Sequence, residues 1–274
     1  MRTHTVRGGN DVALHVREAG RGRPILFVHG FSQSLLSWRH QFESSLTDEF
    51  RLVAFDSRGH GESDKPRDAY DDSELWAQDV RAVITELDLD DVILVGWSYG
   101  GLTVLDYVES FGTDRLAGVN LVGAISTIGT DTATERLGPE YLDLVSGFVS
   151  TDVEESTATM RRFVDLCVFD DLDPDDHYFM LGYNVVVPPH VRDSLRDRTV
   201  THDAELDALD VPVLLTHGTE DDVVLPEASE AYADRIADAE RSWYPETGHT
   251  PFWEQPARFN RELRAFARET PPAE

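Results

Sequence analysis

The sequence predicts an α/β protein with a mostly parallel central sheet, helices on both faces of that sheet and one helical insertion. Short apolar runs, several of them ending in glycine, alternate along the chain with longer amphipathic stretches, and this alternation is typical of a parallel sheet. The stretch 128–206 interrupts the pattern, since it contains helix formers but no strand–helix repeat. With 41% hydrophobic residues in a chain of 274, the protein can bury the core that such a fold requires.

The individual elements follow from the apolar pattern in chain order. Residues 4–6 and 12–17 are predicted as a hairpin because Gly8, Gly9 and Asn10 separate them. Helical spacing between the strands predicts helices at 35–46, 73–87 and 99–110. Short apolar runs predict central and later strands at 24–29, 51–56, 92–97, 116–123, 211–217 and 241–244.

The interruption at 128–206 divides the chain into three parts. Residues 1–127 form the first part of the α/β core, residues 128–206 a helical cap insertion, and residues 207–274 the second part of the core. We expect the cap over the carboxyl ends of the strands, because open α/β sheets bind their ligands there. The alternative is a tethered, independent helical domain, but no linker-like Gly/Ser/Pro run flanks the stretch.

The charge of the chain argues against several kinds of partner. The 24 basic and 52 acidic residues give a formal net charge of −28, which repels nucleic-acid phosphates and anionic lipid headgroups. Lys65 is the only lysine, and an acid-rich, lysine-poor composition resembles that of cytoplasmic proteins from organisms that hold molar salt. We therefore expect adaptation to salt and no nucleic-acid or membrane partner, with an ordinary acidic protein as the alternative.

The single cysteine and the N-terminal sequence predict the compartment. Cys167 has no second cysteine to pair with, so neither an intrachain disulfide nor a cysteine-cluster metal site is expected. The first ten residues lack the apolar stretch of a secretory signal, and no apolar run approaches the ~20 residues that span a bilayer. We expect a soluble cytoplasmic protein.

A candidate nucleophile follows the third central strand. Gly96-Trp-Ser98-Tyr-Gly100 lies between a predicted strand and a predicted helix, which is the context that a nucleophile elbow requires. Glycines on either side of Ser98 allow the strand and the helix to approach closely, so that the hydroxyl projects at the helix N-terminus. The alternative is a tight structural turn with a serine that caps the helix.

A serine nucleophile needs a general base and an acid that orients the base. His249 lies in a loop after the last predicted strand, the position expected for the base. The acid should follow the preceding strand, where Glu220, Asp221 and Asp222 are adjacent. In a chain this acidic, their positions alone leave the choice among the three open.

Two backbone amides are candidates for the oxyanion hole. One is the N–H of Tyr99, the residue after the serine, and the second is the N–H of Phe31 in the loop after the first central strand. We expect His29 in the same loop to brace the loop rather than act as a base. Other histidines lack the paired spacing of metal ligands and are assigned surface or packing roles; they are His60, His177, His190, His202 and His217.

Taken together, these motifs resemble those of the α/β-hydrolases of the serine esterase type. The matching segments run in order along nearly the whole chain apart from the cap; they are His29-Gly30, Asp56-Ser-Arg-Gly-His-Gly-Glu-Ser63, the Ser98 elbow, Gly218-Thr-Glu-Asp221, Gly248-His-Thr-Pro251 and Glu254-Gln-Pro256. The resemblance implies Asp221 as the acid and a bracing role for Asp56 and Arg58.

The elbow also separates subgroups within this family. Haloalkane dehalogenases and epoxide hydrolases carry an aspartate at the position of Ser98, so the serine argues against both. Asp56-Ser-Arg-Gly59, Gly96-Trp-Ser-Tyr-Gly-Gly101 and Asp106-Tyr107 resemble instead the motifs of the small carboxylesterases labelled cofactor-free haloperoxidases or perhydrolases. Phe31 and Tyr99 replace the tryptophan and the methionine usual in that subgroup, which argues against perhydrolysis.

The sequence therefore predicts a serine hydrolase that uses Ser98, His249 and Asp221 on a small ester, lactone or related acyl compound. No cofactor and no metal are expected. The alternatives are a perhydrolase side activity, a hydrolase of C–C bonds in dienoic compounds, and a non-catalytic protein that binds a small ligand under the cap.

Overall fold

The computed structural model describes residues 1–273 and contains one eight-stranded sheet in the order β1-β2-β4-β3-β5-β6-β9-β10. Strand β2 runs antiparallel to both of its neighbours, and the other pairs are parallel. The strands are β1 (Arg2–Arg7), β2 (Ala13–Gly20), β3 (Pro24–Val28), β4 (Arg51–Phe55), β5 (Val92–Trp97), β6 (Leu116–Val122), β7 (Thr127–Ile128), β8 (Val200–Thr201), β9 (Val213–Gly218) and β10 (Glu240–Tyr244). The predicted fold class is confirmed.

Helices cover both faces of this sheet. They are α1 (Arg39–Phe42), α2 (Ser73–Glu86), α3 (Tyr99–Phe111), α4 (Asp131–Glu135), α5 (Pro139–Phe148), α6 (Val153–Leu166), α7 (Pro174–Val185), α8 (Pro189–Arg196), α9 (Asp203–Ala208), α10 (Glu227–Arg235), α11 (Pro251–Glu254) and α12 (Pro256–Glu269). Within residues 1–273, no helix combines the length and the apolar character needed to cross a membrane.

The central strands are apolar throughout because both of their faces are buried. In β3, Leu26 and Val28 belong to the core on the side of α2 and α3, whereas Ile25 and Phe27 belong to the core that includes α11 and α12. Successive side chains of a strand point to opposite faces, so a strand between two helical layers needs apolar residues at every position.

The predicted helix over 35–46 is wrong. The structure divides this stretch into a 3-10 turn (Leu35–Trp38), α1 and a second 3-10 turn (Ser45–Asp48). The side chains of Ser34 and Ser44 accept hydrogen bonds from the amides two residues later. Serine side chains that bond nearby backbone in this way favour turns over continuous helix.

The chain between β6 and β9 forms α4 to α9, which we call the helical segment (residues 131–208). The antiparallel pairing of β7, just before α4, with β8, between α8 and α9, brings the two ends of the α4–α8 stretch together, with Thr127 opposite Thr201. The carbonyl of Cys167 accepts hydrogen bonds from the backbone N–H of His249 and the hydroxyl of Thr250, at 3.0 and 3.1 Å. These bonds fasten the helical segment to the loop that carries His249.

Candidate active site

Ser98 occupies a strained turn between β5 and α3. Its φ of 56° and ψ of −121° are rare for a residue with a side chain. The flanking glycines are required, because a Cβ on Gly96 would lie 2.7 Å from the carbonyl oxygen of Gly100, and a Cβ on Gly100 only 2.4 Å from that of Val28. Close approach of β3, β5 and α3 therefore forces the serine out at the N-terminus of α3.

His249 is oriented by a buried carboxylate. Its Nδ1 lies 2.7 Å from Oδ2 of Asp221, and the other carboxylate oxygen accepts the N–H groups of Val223 and Val224, each at 2.9 Å. A carboxylate only accepts hydrogen bonds, so Nδ1 carries the proton and Nε2 the lone pair. This Nε2 is buried and has no hydrogen-bond partner within residues 1–273.

Neighbouring strand ends bring the serine, the histidine and the aspartate to one edge of the sheet. The N–H of Ser98 donates to the carbonyl of Val122, and its carbonyl accepts the N–H of Ile125, both beside the end of β6. Between them lies Gly123, with φ +46°, where a Cβ would be 3.2 Å from both Oδ2 of Asp221 and Nδ1 of His249. The glycine lets the serine turn and the histidine–aspartate pair pack against the same loop.

Among the three adjacent carboxylates, Asp221 is the one that contacts His249, while Glu220 and Asp222 are exposed. Burial by itself raises the pKa of Asp221, but electrostatic attraction to the imidazole of His249 and the hydrogen bonds from His217 and His249 outweigh it. The pKa of this carboxyl is therefore well below its usual value. The group stays ionised and can stabilise a positive charge on His249.

The amides proposed for the oxyanion hole lie beside the serine. A Cβ on Gly30 would be 2.9 Å from Cβ of Ser98, so the loop with Phe31 packs directly against the nucleophile. Neither the N–H of Phe31 nor that of Tyr99 has an acceptor within the described residues. Both amides are free to donate to a bound oxygen.

His29 has the bracing contacts expected of it. Its Nε2 accepts the backbone N–H of Ser57 at 3.0 Å, and its Nδ1 lies 2.9 Å from the carbonyl oxygen of Gly30. Burial lowers the pKa of this imidazole. A neutral His29 therefore links the loop after β3 to the loop after β4.

A cavity of about 80 Å³ opens beside Ser98. Most of its lining is apolar and includes Phe31, Ile125, Tyr141 and Phe163, with Arg196 from the end of α8 as the charged residue. Burial raises the pKa of the Tyr141 phenol, which stays neutral. The helical segment thus forms one wall of the cavity and the loops of the sheet form the other.

Comparison with known proteins identifies the family. The protein-family model described as "Alpha/beta hydrolase family" matches residues 25–262 of this chain. The chain belongs to the alpha/beta hydrolase family. It is therefore an enzyme of the hydrolase class.

Relatives of this alpha/beta hydrolase include esterases and haloperoxidases. The structure of an esterase, RhEst1 from Rhodococcus sp. ECU1013, has a TM-score of 0.93 and 35% identity over 99% of this chain and 100% of that chain. The non-heme chloroperoxidase CPO-A1 of Kitasatospora aureofaciens is 30% identical over 96% of this chain and 98% of its own. A non-heme chloroperoxidase of Streptomyces lividans is 28% identical over 98% and 100%. The resemblance to the esterase and haloperoxidase subgroup is confirmed.

His217 lies in the site, although the sequence analysis assigned it only a surface or packing role. It is buried at the end of β9, and its Nε2 lies 3.1 Å from Oδ2 of Asp221 and 2.8 Å from the carbonyl oxygen of Val224. Its Nδ1 lies 2.7 Å from Oγ of Ser229. The signal in the sequence is its position at a strand end, four residues before the acid.

Two other residues of this hydrolase hold the histidine loop. The indole N–H of Trp97 donates to the carbonyl of His249 at 2.9 Å. The Glu254 carboxylate accepts the N–H groups of Gly248 and Phe169, at 3.1 and 2.7 Å. Trp97 is core rather than cavity lining, and it packs against Phe252 with ring centroids 4.8 Å apart.

His202 belongs to a buried ion-pair network at α3, the helix that follows Ser98. Within residues 1–273, Asp106, Glu109 and His202 form a group whose ligand atoms could hold a metal ion. The Arg198 guanidinium already lies 2.7 and 2.9 Å from the two oxygens of Asp106. This positive charge opposes a metal cation, and the group fits an ion-pair network that fastens the end of β8 to α3.

Proposed function

We propose that the protein is a cofactor-independent serine hydrolase that cleaves a small ester, lactone or related acyl compound through an acyl-enzyme. The observation that carries the proposal is the pairing of His249 with Asp221, which leaves the buried Nε2 of His249 without a partner. A serine on a strained turn at the start of α3 supplies the matching nucleophile.

Acylation begins when Oγ of Ser98 attacks the substrate carbonyl carbon and its proton passes to Nε2 of His249. The carbonyl oxygen becomes an oxyanion, which the N–H groups of Phe31 and Tyr99 stabilise. When the tetrahedral intermediate collapses, the carbon–oxygen bond to the alcohol breaks and His249 returns the proton to the leaving oxygen. The acyl group remains as an ester on Ser98.

Deacylation repeats these steps with water in place of the serine. His249 accepts a proton from the water as its oxygen attacks the acyl carbon, and then gives a proton to Oγ of Ser98. Asp221 keeps the imidazole in the required tautomer and stabilises the cation that forms in each half-reaction. Its lowered pKa keeps it anionic over the neutral range.

We propose that residues 128–206 act as the cap and restrict the size of the acyl compound. The helical segment supplies Tyr141, Phe163 and Arg196 to the wall of a cavity of about 80 Å³. A cavity of that volume favours a short acyl group over a long chain.

The test is a pH-stat screen of esters of increasing acyl length, lactones and amides in molar KCl, with Ser98→Ala as the blank. Ser98-dependent release of acid from short esters or lactones supports the proposal. A fluorophosphonate that labels Ser98 separates an enzyme from a non-catalytic ligand-binding protein. If neither turnover nor labelling occurs, the proposed hydrolase is wrong and the non-catalytic ligand-binding protein is the remaining interpretation.

Halide oxidation is a second candidate because two of the similar proteins are chloroperoxidases. Peroxide in place of water would release a peracid from the acyl-enzyme, and the peracid would oxidise the halide. Monochlorodimedone chlorination with acetate and peroxide, compared between the wild type and Ser98→Ala, tests for it.

A further inference from the structure

We propose that Arg196 forms an anion subsite beside the nucleophile and that the preferred substrate carries a carboxylate on a short acyl chain. This inference rests on the proposed function, because it names the substrate class of the same site. The structural feature behind it is a cationic side chain in the wall of a small, mostly apolar cavity that also contains Ser98.

The guanidinium of Arg196 makes few contacts of its own. Within residues 1–273, its one hydrogen bond runs from Nη1 to the carbonyl oxygen of Val145 and is long, at 3.4 Å. No carboxylate of these residues lies within 4.0 Å of it, although Asp193 and Asp197 are close in sequence. Acidic residues outnumber basic residues by 52 to 24 in this chain, so the lack of a carboxylate beside Arg196 does not reflect a shortage of acidic side chains.

Arg198, two residues later, is an arginine with a structural role, and its hydrogen bonds provide a comparison for those of Arg196. Its guanidinium donates to both oxygens of Asp106 at 2.7 and 2.9 Å and to the hydroxyl of Ser73 at 2.7 Å. It is buried, whereas Arg196 is half-buried. Arg198 therefore has a carboxylate partner within the protein, whereas the guanidinium of Arg196 keeps donors for a ligand.

The chemistry of the subsite favours a carboxylate. A guanidinium presents its N–H donors in a planar fork that matches the two oxygens of a carboxylate. The apolar surroundings strengthen that attraction, because solvent screening is weaker than at an open surface. The net charge of −28 repels an anionic substrate. An unpaired guanidinium at the site would offset this repulsion locally.

The size of the cavity limits the distance between the carboxylate and the ester. Ser98 and Arg196 line the same cavity of about 80 Å³, so a substrate that contacts both would carry its carboxylate and its reacting carbonyl on one short chain. Monoesters of short dicarboxylic acids meet both conditions. The subsite also predicts that the product, a short dicarboxylate, inhibits the enzyme.

The experiment compares monoethyl succinate with ethyl pentanoate at constant ionic strength. The five-carbon chain of the neutral ester matches the four carbons and one carboxylate oxygen of the succinyl group. We expect the wild type to prefer the anionic ester. Arg196→Gln should lower kcat/KM for monoethyl succinate by at least about 10-fold more than for ethyl pentanoate, mainly through KM. Arg196→Lys should retain part of the preference.

Arg161→Gln is the matched control. Arg161 is an exposed residue of α6, so the variant changes the net charge equally without altering the cavity, and it should keep the wild-type preference. Equal loss on both esters in Arg196→Gln, or a wild type without preference for the anionic ester, would overturn the inference.

A binding measurement separates failure of this inference from failure of the proposed function. Titration calorimetry with Ser98→Ala should show tighter binding of monoethyl succinate than of ethyl pentanoate, and addition of Arg196→Gln should remove the difference. Equal binding of the two esters overturns the anion subsite even if both are hydrolysed. If the binding difference is present but no Ser98-dependent turnover occurs, the subsite stands and the proposed reaction fails.

Discussion

His217 and His249 contact the same oxygen of one carboxylate. Nε2 of His217 lies 3.1 Å and Nδ1 of His249 2.7 Å from Oδ2 of Asp221. The other oxygen accepts two backbone N–H groups, so the carboxylate is held from both sides and cannot rotate without breaking a contact. A catalytic acid needs such fixed geometry, because it acts by orienting the histidine.

Loss of the Ser98 hydroxyl should abolish hydrolysis and leave the fold intact. Removal of a triad member reduces the rate of serine hydrolases by about 10⁴- to 10⁶-fold. Ser98→Ala keeps the strained backbone and removes one atom with no protein hydrogen-bond partner within the described residues, so the melting temperature should change little. Esterase assays and thermal melts check both expectations. Retention of a tenth of the wild-type kcat would refute the assignment of the nucleophile.

Replacement of Asp221 by asparagine should reduce kcat by about 10⁴-fold. An asparagine amide turned toward Nδ1 of His249 would stabilise the wrong imidazole tautomer. Asp222→Asn and Glu220→Gln are the matched controls, since both side chains are exposed neighbours, and each should retain most of the activity. A comparable loss in either control would show that the acid is misassigned.

His217→Phe should reduce kcat by about 10-fold and move the acidic limb of the pH–rate profile to higher pH. Phenylalanine keeps a ring at this position but removes the hydrogen bond that contributes to the lowered pKa of Asp221, so the pKa of that carboxyl should rise. A carboxyl that is protonated at higher pH stops orienting His249 sooner as the solution is acidified. Initial rates between pH 4 and pH 9 measure the shift. His177→Phe, at a partly exposed histidine in the helical segment, should show the wild-type profile. An unchanged limb in His217→Phe would mean that His217 only fills space.

Buried histidines should make the fold less stable in mild acid. Burial lowers the pKa of His29 and His60, whereas the same groups in the unfolded chain titrate near 6.5. Between the folded and unfolded pKa values the unfolded chain binds more protons, so the free energy of unfolding falls as the pH drops below about 6.5. Each histidine contributes at most about 1.4 kcal/mol per pH unit.

His60→Asn tests this prediction, because an asparagine amide can replace the contact between Nδ1 of His60 and the carbonyl of Arg58, which is 2.9 Å long. Urea unfolding of the variant should show a smaller loss of stability between pH 7.5 and pH 5.5 than the wild type. His177→Asn, which removes a partly exposed histidine, should keep the wild-type difference. The prediction is wrong if the two variants behave alike.

Stability and activity should rise with KCl. The carboxylates that give the net charge of −28 repel one another across the whole molecule at ~0.01 M salt, where the Debye length is about 30 Å. At ~1 M salt the Debye length is about 3 Å, and this repulsion is screened. Most of the Coulombic gain should appear below about 1 M, and further gain at higher salt would reflect cation binding or stronger apolar burial. Melting curves with parallel assays test this, and a flat melting temperature would refute adaptation to salt.

The sequence by itself determined the features that depend on local pattern. Alternating apolar runs and amphipathic stretches predicted the parallel strands of the core, because burial on both faces requires apolar residues at every position of a strand. The glycines at 96 and 100 predicted the turn at Ser98, since only a residue without a side chain permits that close approach of strand and helix. Both kinds of signal lie within about ten consecutive residues.

Only the tertiary structure decided features that depend on residues far apart in the chain. Three adjacent carboxylates look alike in sequence, but the loop after β9 buries Asp221 against His249 and leaves its neighbours in solvent. Likewise, His217 and Arg196 gained their positions from the packing of other elements, which no local pattern encodes. The contacts of these residues join segments that are distant in the chain and that the strand order of the sheet brings together. Burial then determines which charged side chains contact each other.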